Sequence, residues 1–139
     1  MNKRLFLAIK HNNYATLCSL ESIATANNFA PLTARSYPAL MDTYLDNRFS
    51  VVAILYQFYF RGEQFPQERR IIYPAEIINN ITAYKKNIPI FALSSSNPEN
   101  VMLSSLLSYG VREILPLSLN LENLEQALNR AGIEKPKLK

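Results

Sequence analysis

Five short runs of apolar and β-branched residues alternate along the chain with stretches in which apolar residues recur at helical spacing. This alternation indicates a parallel β-sheet covered by helices on both faces. We therefore predict an α/β fold with a single doubly wound sheet of five parallel strands in the order 2-1-3-4-5. Its 139 residues suit one domain, predicted at 1–133, followed by a basic tail or linker at 134–139.

The predicted strands differ in their place in the sheet. Residues 50–60 contain no charged side chain and are rich in β-branched and aromatic residues, so this strand is predicted to be central. Pro31 cannot donate a ladder hydrogen bond, which places the strand at 30–34 on an edge. Residues 61–74 are predicted to form a long loop. The remaining strands are predicted at residues 5–9, 88–93 and 111–115.

The helices are predicted from apolar periodicity and from residues typical of helix ends. Ser96-Asn97-Pro98-Glu99 is predicted to start the fourth helix and Gly110 to end it, and Asn120 is predicted to cap the fifth. The residues expected on the buried helix faces are Tyr14, Leu17, Leu20 and Ile23, then Leu40, Met41, Tyr44 and Leu45, then Ile77, Ile78, Ile81 and Tyr84, and finally Leu121, Leu124, Leu128 and Ala131.

The composition argues against several classes of function. One histidine and one cysteine are too few for a zinc site, and no glycine-rich phosphate-binding motif occurs, so we predict no metal, no cofactor and no enzymatic activity. Cys18 is expected to be a small buried helix residue. The charge of +4 is spread over scattered basic groups, which favours solvated surface over direct nucleic-acid binding. Without an apolar run of membrane-spanning length, a cytoplasmic location is expected.

The final third of the chain resembles a known family. Ile-Pro-Ile-Phe-Ala-Leu-Ser-Ser-Ser from Ile88, followed by Tyr-Gly-Val-Arg-Glu-Ile-Leu-Pro from Tyr109, is similar to the last two β/α units of response-regulator receiver domains. The resemblance implies a receiver-like (flavodoxin-like) fold. It also implies that Ser94 stands where receivers carry a hydroxyl that contacts the phosphoryl group.

The residues that phosphorylation requires are missing at the matching positions. Receivers have a lysine followed by proline after strand five, where this chain has Leu117-Ser118, and Ile114 replaces their aromatic switch residue. No acidic residue occurs from Asn47 to Gly62, where the phosphoacceptor aspartate should close strand three. The first acidic residue of the chain is Glu21, so the acidic pair that binds Mg²⁺ is also absent. The resemblance is therefore to degenerate, or pseudo-receiver, domains.

Two groups of candidate functional residues follow from this resemblance. A vestigial pocket is predicted at the carboxyl edge of the sheet, although capping alone accounts for the serines and a solvated loop accounts for His11. The predicted pocket residues are Lys10, His11, Gln57, Ser94 and Leu117. The face formed by helix four, strand five and helix five is expected to bind a protein partner or a second copy through Leu103, Leu107 and Tyr109.

Two functions are compatible with the sequence. The first is a pseudo-receiver module that acts in signal transduction through protein–protein interaction, without aspartyl phosphorylation. The alternative is a receiver-like assembly domain, such as the N-terminal wing domain of a basic amino-acid decarboxylase or part of another larger protein. In that case the catalytic chemistry would belong to another segment. Fold-level likeness does not choose between them.

Overall fold

The structure is a computed structural model that describes residues 4–94, 100–116 and 119–137. Strands and helices alternate along the chain, apart from two short strands that follow β3. In chain order the elements are β1 (Phe6–Lys10), α1 (Tyr14–Ala26), β2 (Ala30–Ala34), α2 (Tyr37–Asn47), β3 (Val51–Tyr56), β4 (Glu63–Phe65), β5 (Arg70–Ile72), α3 (Pro74–Tyr84), β6 (Ile90–Leu93), α4 (Asn100–Tyr109), β7 (Glu113–Leu115) and α5 (Leu121–Arg130).

The main sheet has five parallel strands in the order β2-β1-β3-β6-β7. Because β6 and β7 are the fourth and fifth predicted strands, the predicted order 2-1-3-4-5 is confirmed. The charge-free strand β3 is the central strand, and β2, which contains Pro31, lies on an edge, both as predicted. The fold class is therefore the expected doubly wound α/β sheet.

The segment between β3 and α3 differs from the prediction. Instead of a long loop it contains an antiparallel hairpin in which Glu63 pairs with Ile72 and Phe65 with Arg70. A turn of 3-10 helix at Pro66–Glu68 and left-handed Arg69, with φ of 53°, connect the two strands. Each strand has only three residues, which is too short for alternation along the sequence to indicate it.

Two apolar layers hold the helices against the sheet. On one face, α2, α3 and α4 cover β1, β3 and β6 through a cluster that includes Tyr44, Ile54 and Ile78. On the other face, α1 and α5 pack through a cluster that includes Leu20 and Leu124. Asn120 caps α5 as predicted, since its side chain accepts a hydrogen bond from the Asn123 N–H at 2.8 Å. The predicted start of the fourth helix lies outside the described residues.

Four residues expected to be buried in helices are exposed instead. Tyr14 begins α1, Tyr84 ends α3 and Leu121 begins α5, so each lies at a helix end that the core does not cover. Cys18 is exposed because it lies about 100° around α1 from Leu17, which is on the buried stripe. The helical period identified which face of each helix is buried. It did not show that the first or last residue of that face extends beyond the core.

No helix in the described part of the chain is both long enough and apolar enough to cross a membrane.

Candidate functional site

Lys10 and Tyr56 are neighbours at the carboxyl edge of the sheet. Each is the last residue of its strand, and they are register partners in the parallel pair β1–β3. Side chains alternate along a strand, so Lys10 points to the same face as Ala8, which is the face covered by α2 and α3. The sequence thus places a cation at the edge where open α/β sheets commonly bind ligands.

Lys10 is buried and its ammonium group contacts a carboxylate. Its Nζ lies 3.1 Å from Oε1 of Glu63, and only 1% and 8% of the two side chains are exposed. Nζ also donates a hydrogen bond to the main-chain oxygen of Gln57 at 2.9 Å. The ammonium lies 4.7 Å from the ring centroid of Tyr56 and 4.5 Å from that of Tyr59. We call Lys10, Glu63, Tyr56 and Tyr59 the edge cluster.

Both carboxylate oxygens of Glu63 are occupied. Oε1 faces Lys10, and Oε2 accepts a hydrogen bond from the Tyr56 hydroxyl at 2.6 Å. Burial lowers the pKa of Lys10, an effect that the neighbouring carboxylate opposes. Burial, and then the same carboxylate, raise the pKa of the Tyr56 phenol, so Tyr56 stays a neutral donor. The charged groups of the edge cluster form a buried ion pair, so neither is exposed as an acid, a base or a nucleophile.

His11 is buried, whereas a solvated loop histidine was one of its predicted interpretations. Its Nδ1 accepts a hydrogen bond from the Asn13 N–H at 3.0 Å, and Asn13 in turn caps α1 by accepting from the Thr16 N–H. The Arg35 guanidinium donates to the main-chain oxygen of Asn12 at 3.0 Å, which holds the same loop. Burial, and then the charge of Lys10, lower the pKa of His11, so both favour the neutral imidazole.

Gln57 connects the loop between β1 and α1, residues 11–13, to the end of β3. Its main-chain N–H donates to the Lys10 carbonyl at 3.0 Å, while its side-chain oxygen accepts from the Asn12 N–H at 3.0 Å and from the Tyr59 hydroxyl at 3.1 Å. The structure therefore brings together three of the predicted pocket residues, Lys10, His11 and Gln57. That these residues form a functional pocket stays a prediction.

Of the other two predicted pocket residues, the structure describes only Ser94. Ser94 follows β6 at the same edge, and its main-chain N–H donates to the Leu115 oxygen at 3.0 Å. The hydrogen bonds and ion pair of Lys10 described above go to Gln57 and Glu63, not to Ser94. Leu117 lies outside the described residues, and the roles of both stay predictions.

Sequence reasoning missed Glu63, Tyr56 and Tyr59 as members of the site. One signal was present: Glu63 is the first acidic residue after the charge-free strand and follows Gly62 directly. Within the described ranges, no three His, Cys, Asp or Glu residues are grouped so that they could hold a metal ion. In the edge cluster the Glu63 carboxylate neutralises the Lys10 ammonium. A single carboxylate that is already bound to an ammonium is a poor metal ligand.

A second feature lies between α4 and the residues at the start of α3. It is a groove of about 280 Å³, which we call the aromatic groove. Its lining residues are Phe60, Tyr73, Pro74, Ala75, Ser105, Leu106 and Tyr109. Of the predicted partner contacts, Tyr109 lines this groove and is 46% exposed, Leu107 is 49% exposed, and Leu103 is partly buried. Whether a partner contacts them stays a prediction.

Among the comparisons with known proteins, only solved structures show a similarity to this chain. No protein-family profile matches the chain, and no curated protein matches its sequence. Among solved structures it is similar to a response regulator receiver domain protein from Clostridium thermocellum, with a TM-score of 0.73, 14% identity and coverage of 91% of this chain and 93% of that chain.

Two further solved structures belong to the same set of similar folds. The chemotaxis protein CheY4 of Vibrio cholerae has a TM-score of 0.73 and 12% identity over 93% of this chain and 99% of that chain. A protein described as pilus assembly-related from Burkholderia pseudomallei has a TM-score of 0.66 and 13% identity, with coverage of 91% and 88%. The chain therefore has the fold of response-regulator receiver domains.

Proposed function

We propose that this chain is a non-catalytic receiver-like signalling module that acts through protein–protein interaction and without aspartyl phosphorylation. The observation that carries the proposal is the edge cluster. Its only charged groups, Lys10 and Glu63, are buried and paired with each other. A site of this kind offers neither a free carboxylate to accept a phosphoryl group nor a set of carboxylates to bind Mg²⁺.

The end of β3 supports the same proposal. In receivers the phosphoacceptor aspartate closes strand three, whereas here β3 ends in Tyr56 and is followed by Gln57. The nearest carboxylate belongs to Glu63 on the hairpin, and both its oxygens are already bound. Lys10, on the neighbouring strand, occupies an edge position where receivers carry acidic residues. The charges at this edge are thus arranged differently from those of a phosphorylatable receiver.

The proposed mode of action is contact with a protein. Leu107 and Tyr109 on α4 expose about half of their surface, and Phe60 and Tyr73 expose similar fractions on the far side of the aromatic groove. Exposed aromatic residues near one concave surface are typical of protein-binding sites. The proposed partner is another protein or a second copy that contacts Leu107 and Tyr109 of α4, the helix that the aromatic groove shares with the predicted face of α4, β7 and α5.

Incubation with acetyl phosphate and Mg²⁺, followed by intact-protein mass spectrometry, tests the phosphorylation-independent part. We expect no phosphoryl adduct under conditions that label a receiver with a complete acidic pocket, which serves as the control. Stoichiometric labelling of this chain would overturn the proposal. Aspartyl phosphates are labile, so the spectra should be recorded without acid storage.

The second candidate is an assembly domain of a larger protein, such as the wing domain of a basic amino-acid decarboxylase. The observation that favours this class is the similarity to the pilus assembly-related protein, at a TM-score of 0.66. Affinity capture from the source cells, followed by identification of the retained proteins, separates the candidates. Kinases and regulators support the signalling module, whereas assembly components or a decarboxylase subunit support the assembly domain.

A further inference from the structure

We propose that the carboxyl edge of the sheet is an oxyanion site whose resident ligand is the chain's own Glu63, delivered by the β4–β5 hairpin. In this arrangement the hairpin closes a site that would otherwise take a free carboxylate or phosphate. This inference concerns the pocket alone and does not depend on which protein the module contacts.

The sheet itself supplies the donors of this site. The Lys10 ammonium and the Tyr56 hydroxyl come from adjacent strand ends, and they meet at the two oxygens of one carboxylate, at 3.1 and 2.6 Å. Tyr56 remains protonated because burial raises the pKa of its phenol. An ammonium and a hydroxyl directed at one point are the donors that proteins use to bind small oxyanions. Strand register therefore places both donors, independently of the hairpin.

The acceptor, in contrast, comes from outside the main sheet. Glu63 is the first residue of β4, and it follows Gly62, whose φ of +88° turns the chain after β3. The hairpin is fixed by the buried side chain of Ile72 and by Phe65, whose ring packs against Tyr37 with centroids 5.4 Å apart. Packing of the hairpin thus holds the Glu63 carboxylate at the two donors, so that the chain supplies its own ligand.

Chemical rescue provides the test. Glu63→Ala removes the carboxylate, leaves a space of about its size beside Lys10, and leaves the two donors unpaired. We expect about 0.1 M acetate to raise the melting temperature of this variant by roughly 3 to 6 °C relative to chloride at equal ionic strength. The wild type should show no such shift, because its site is already filled.

Two matched variants separate site binding from a general salt effect. Glu63→Gln keeps the space filled, so acetate should not stabilise it. Lys10→Met combined with Glu63→Ala removes the cation, and acetate should no longer stabilise that double variant. If acetate stabilises all the variants and the wild type equally, or stabilises none of them, the proposal is wrong.

Folding of the test variant does not limit the experiment. If Glu63→Ala is unfolded in chloride, recovery of native circular dichroism in acetate is itself the expected rescue. Glu63→Ser, which leaves a hydroxyl near Tyr56, is the second variant. Failure of both variants to gain structure or stability in acetate would overturn the proposal.

A phosphate arm distinguishes the two kinds of oxyanion. Inorganic phosphate is larger than the carboxylate group it would replace, so it should stabilise Glu63→Ala less than acetate does. A larger effect of phosphate would identify a phosphoryl group as the preferred ligand. This binding is reversible and leaves the protein mass unchanged, so the outcome is separate from the covalent labelling that tests the proposed function.

Discussion

The edge cluster and the aromatic groove include neighbouring residues of the chain, Tyr59 and Phe60, yet they differ in burial and in polarity. In the edge cluster, charged and hydroxyl groups are buried and bound to one another, with Lys10 and Glu63 almost without contact to solvent. In the aromatic groove, Phe60 and Tyr73 are apolar but about half exposed. The polar groups have partners inside the chain, whereas the aromatic side chains still present surface to other molecules.

This difference indicates which of the two regions another molecule can contact. A buried charge pair stabilises one arrangement of the chain and has little contact with solvent. Exposed aromatic surface, in contrast, makes binding favourable, because covering it with a partner removes apolar area from water. The hairpin connects the two regions along the chain, because Glu63 begins it and the groove residues Phe60 and Tyr73 flank it. A change at one region should therefore be tested for its effect on the other.

The largest expected effect comes from breaking the buried ion pair. Lys10→Met leaves the Glu63 carboxylate buried without its cation, and we expect it to lower the free energy of unfolding by about 3–5 kcal/mol. Adding Glu63→Gln removes the unpaired charge while keeping an acceptor for Tyr56, so the double variant should recover at least half of the loss. Urea denaturation of the single and double variants measures this coupling.

A control for this prediction lies on the same hairpin. Arg70 bonds Glu76 and Glu68 in an exposed ion-pair group, so Arg70→Met should destabilise the protein far less than Lys10→Met. Equal losses in the two variants, or additive losses for the Lys10 and Glu63 changes, would mean that burial does not distinguish the edge cluster from the surface.

The second prediction concerns the turn that leads into the hairpin. Gly62 has φ of +88°, and an added Cβ would lie 2.3 Å from Cγ2 of Ile71. We expect Gly62→Ala to cost about 3 kcal/mol, from backbone strain and the clash together. Gly132 has a similar φ of +81° but open space around it, so Gly132→Ala should cost only about 1 kcal/mol. Thermal melts compare the two, and equal costs would refute the role of the Ile71 contact.

The third prediction is a dependence on pH through His11. Its folded-state pKa lies below the ordinary value of 6.5, so the unfolded chain takes up a proton first as the pH falls. Stability should therefore decrease as pH falls through about 6.5, by at most about 1.4 kcal/mol per pH unit for one group. His11→Gln should weaken this dependence between about pH 7.5 and 5. An unchanged slope of unfolding free energy against pH would contradict it.

The smallest effect on stability is expected at the aromatic groove. Tyr109→Ser should change the free energy of unfolding by less than about 0.5 kcal/mol, because the side chain is about half exposed. The same change should reduce binding of the identified partner, or self-association measured by sedimentation. Tyr14→Ser alters an exposed tyrosine on α1 and should leave binding unchanged. Equal binding by both variants would remove the groove from the interaction surface.

Several features of the fold could be read from local sequence. The charge-free run containing Ile54 predicted the central strand, Pro31 predicted the edge strand, and Asn120 and Gly110 marked helix ends. These signals are local because they depend on one residue's backbone preference or on a run of apolar side chains. The hairpin had no such signal, since its three-residue strands are too short for periodicity.

The sequence alone determined that this chain forms a five-stranded parallel sheet and that no acidic residue lies on or just after β3. It also placed Lys10 directly after the first predicted strand, residues 5–9, because strand ends follow from apolar runs. Only the tertiary structure decided that Glu63 neutralises Lys10 and that Tyr109 faces Phe60 and Tyr73 across a groove. Those contacts join residues far apart in the chain, so they depend on how the hairpin and helices pack against the sheet, which no local pattern specifies.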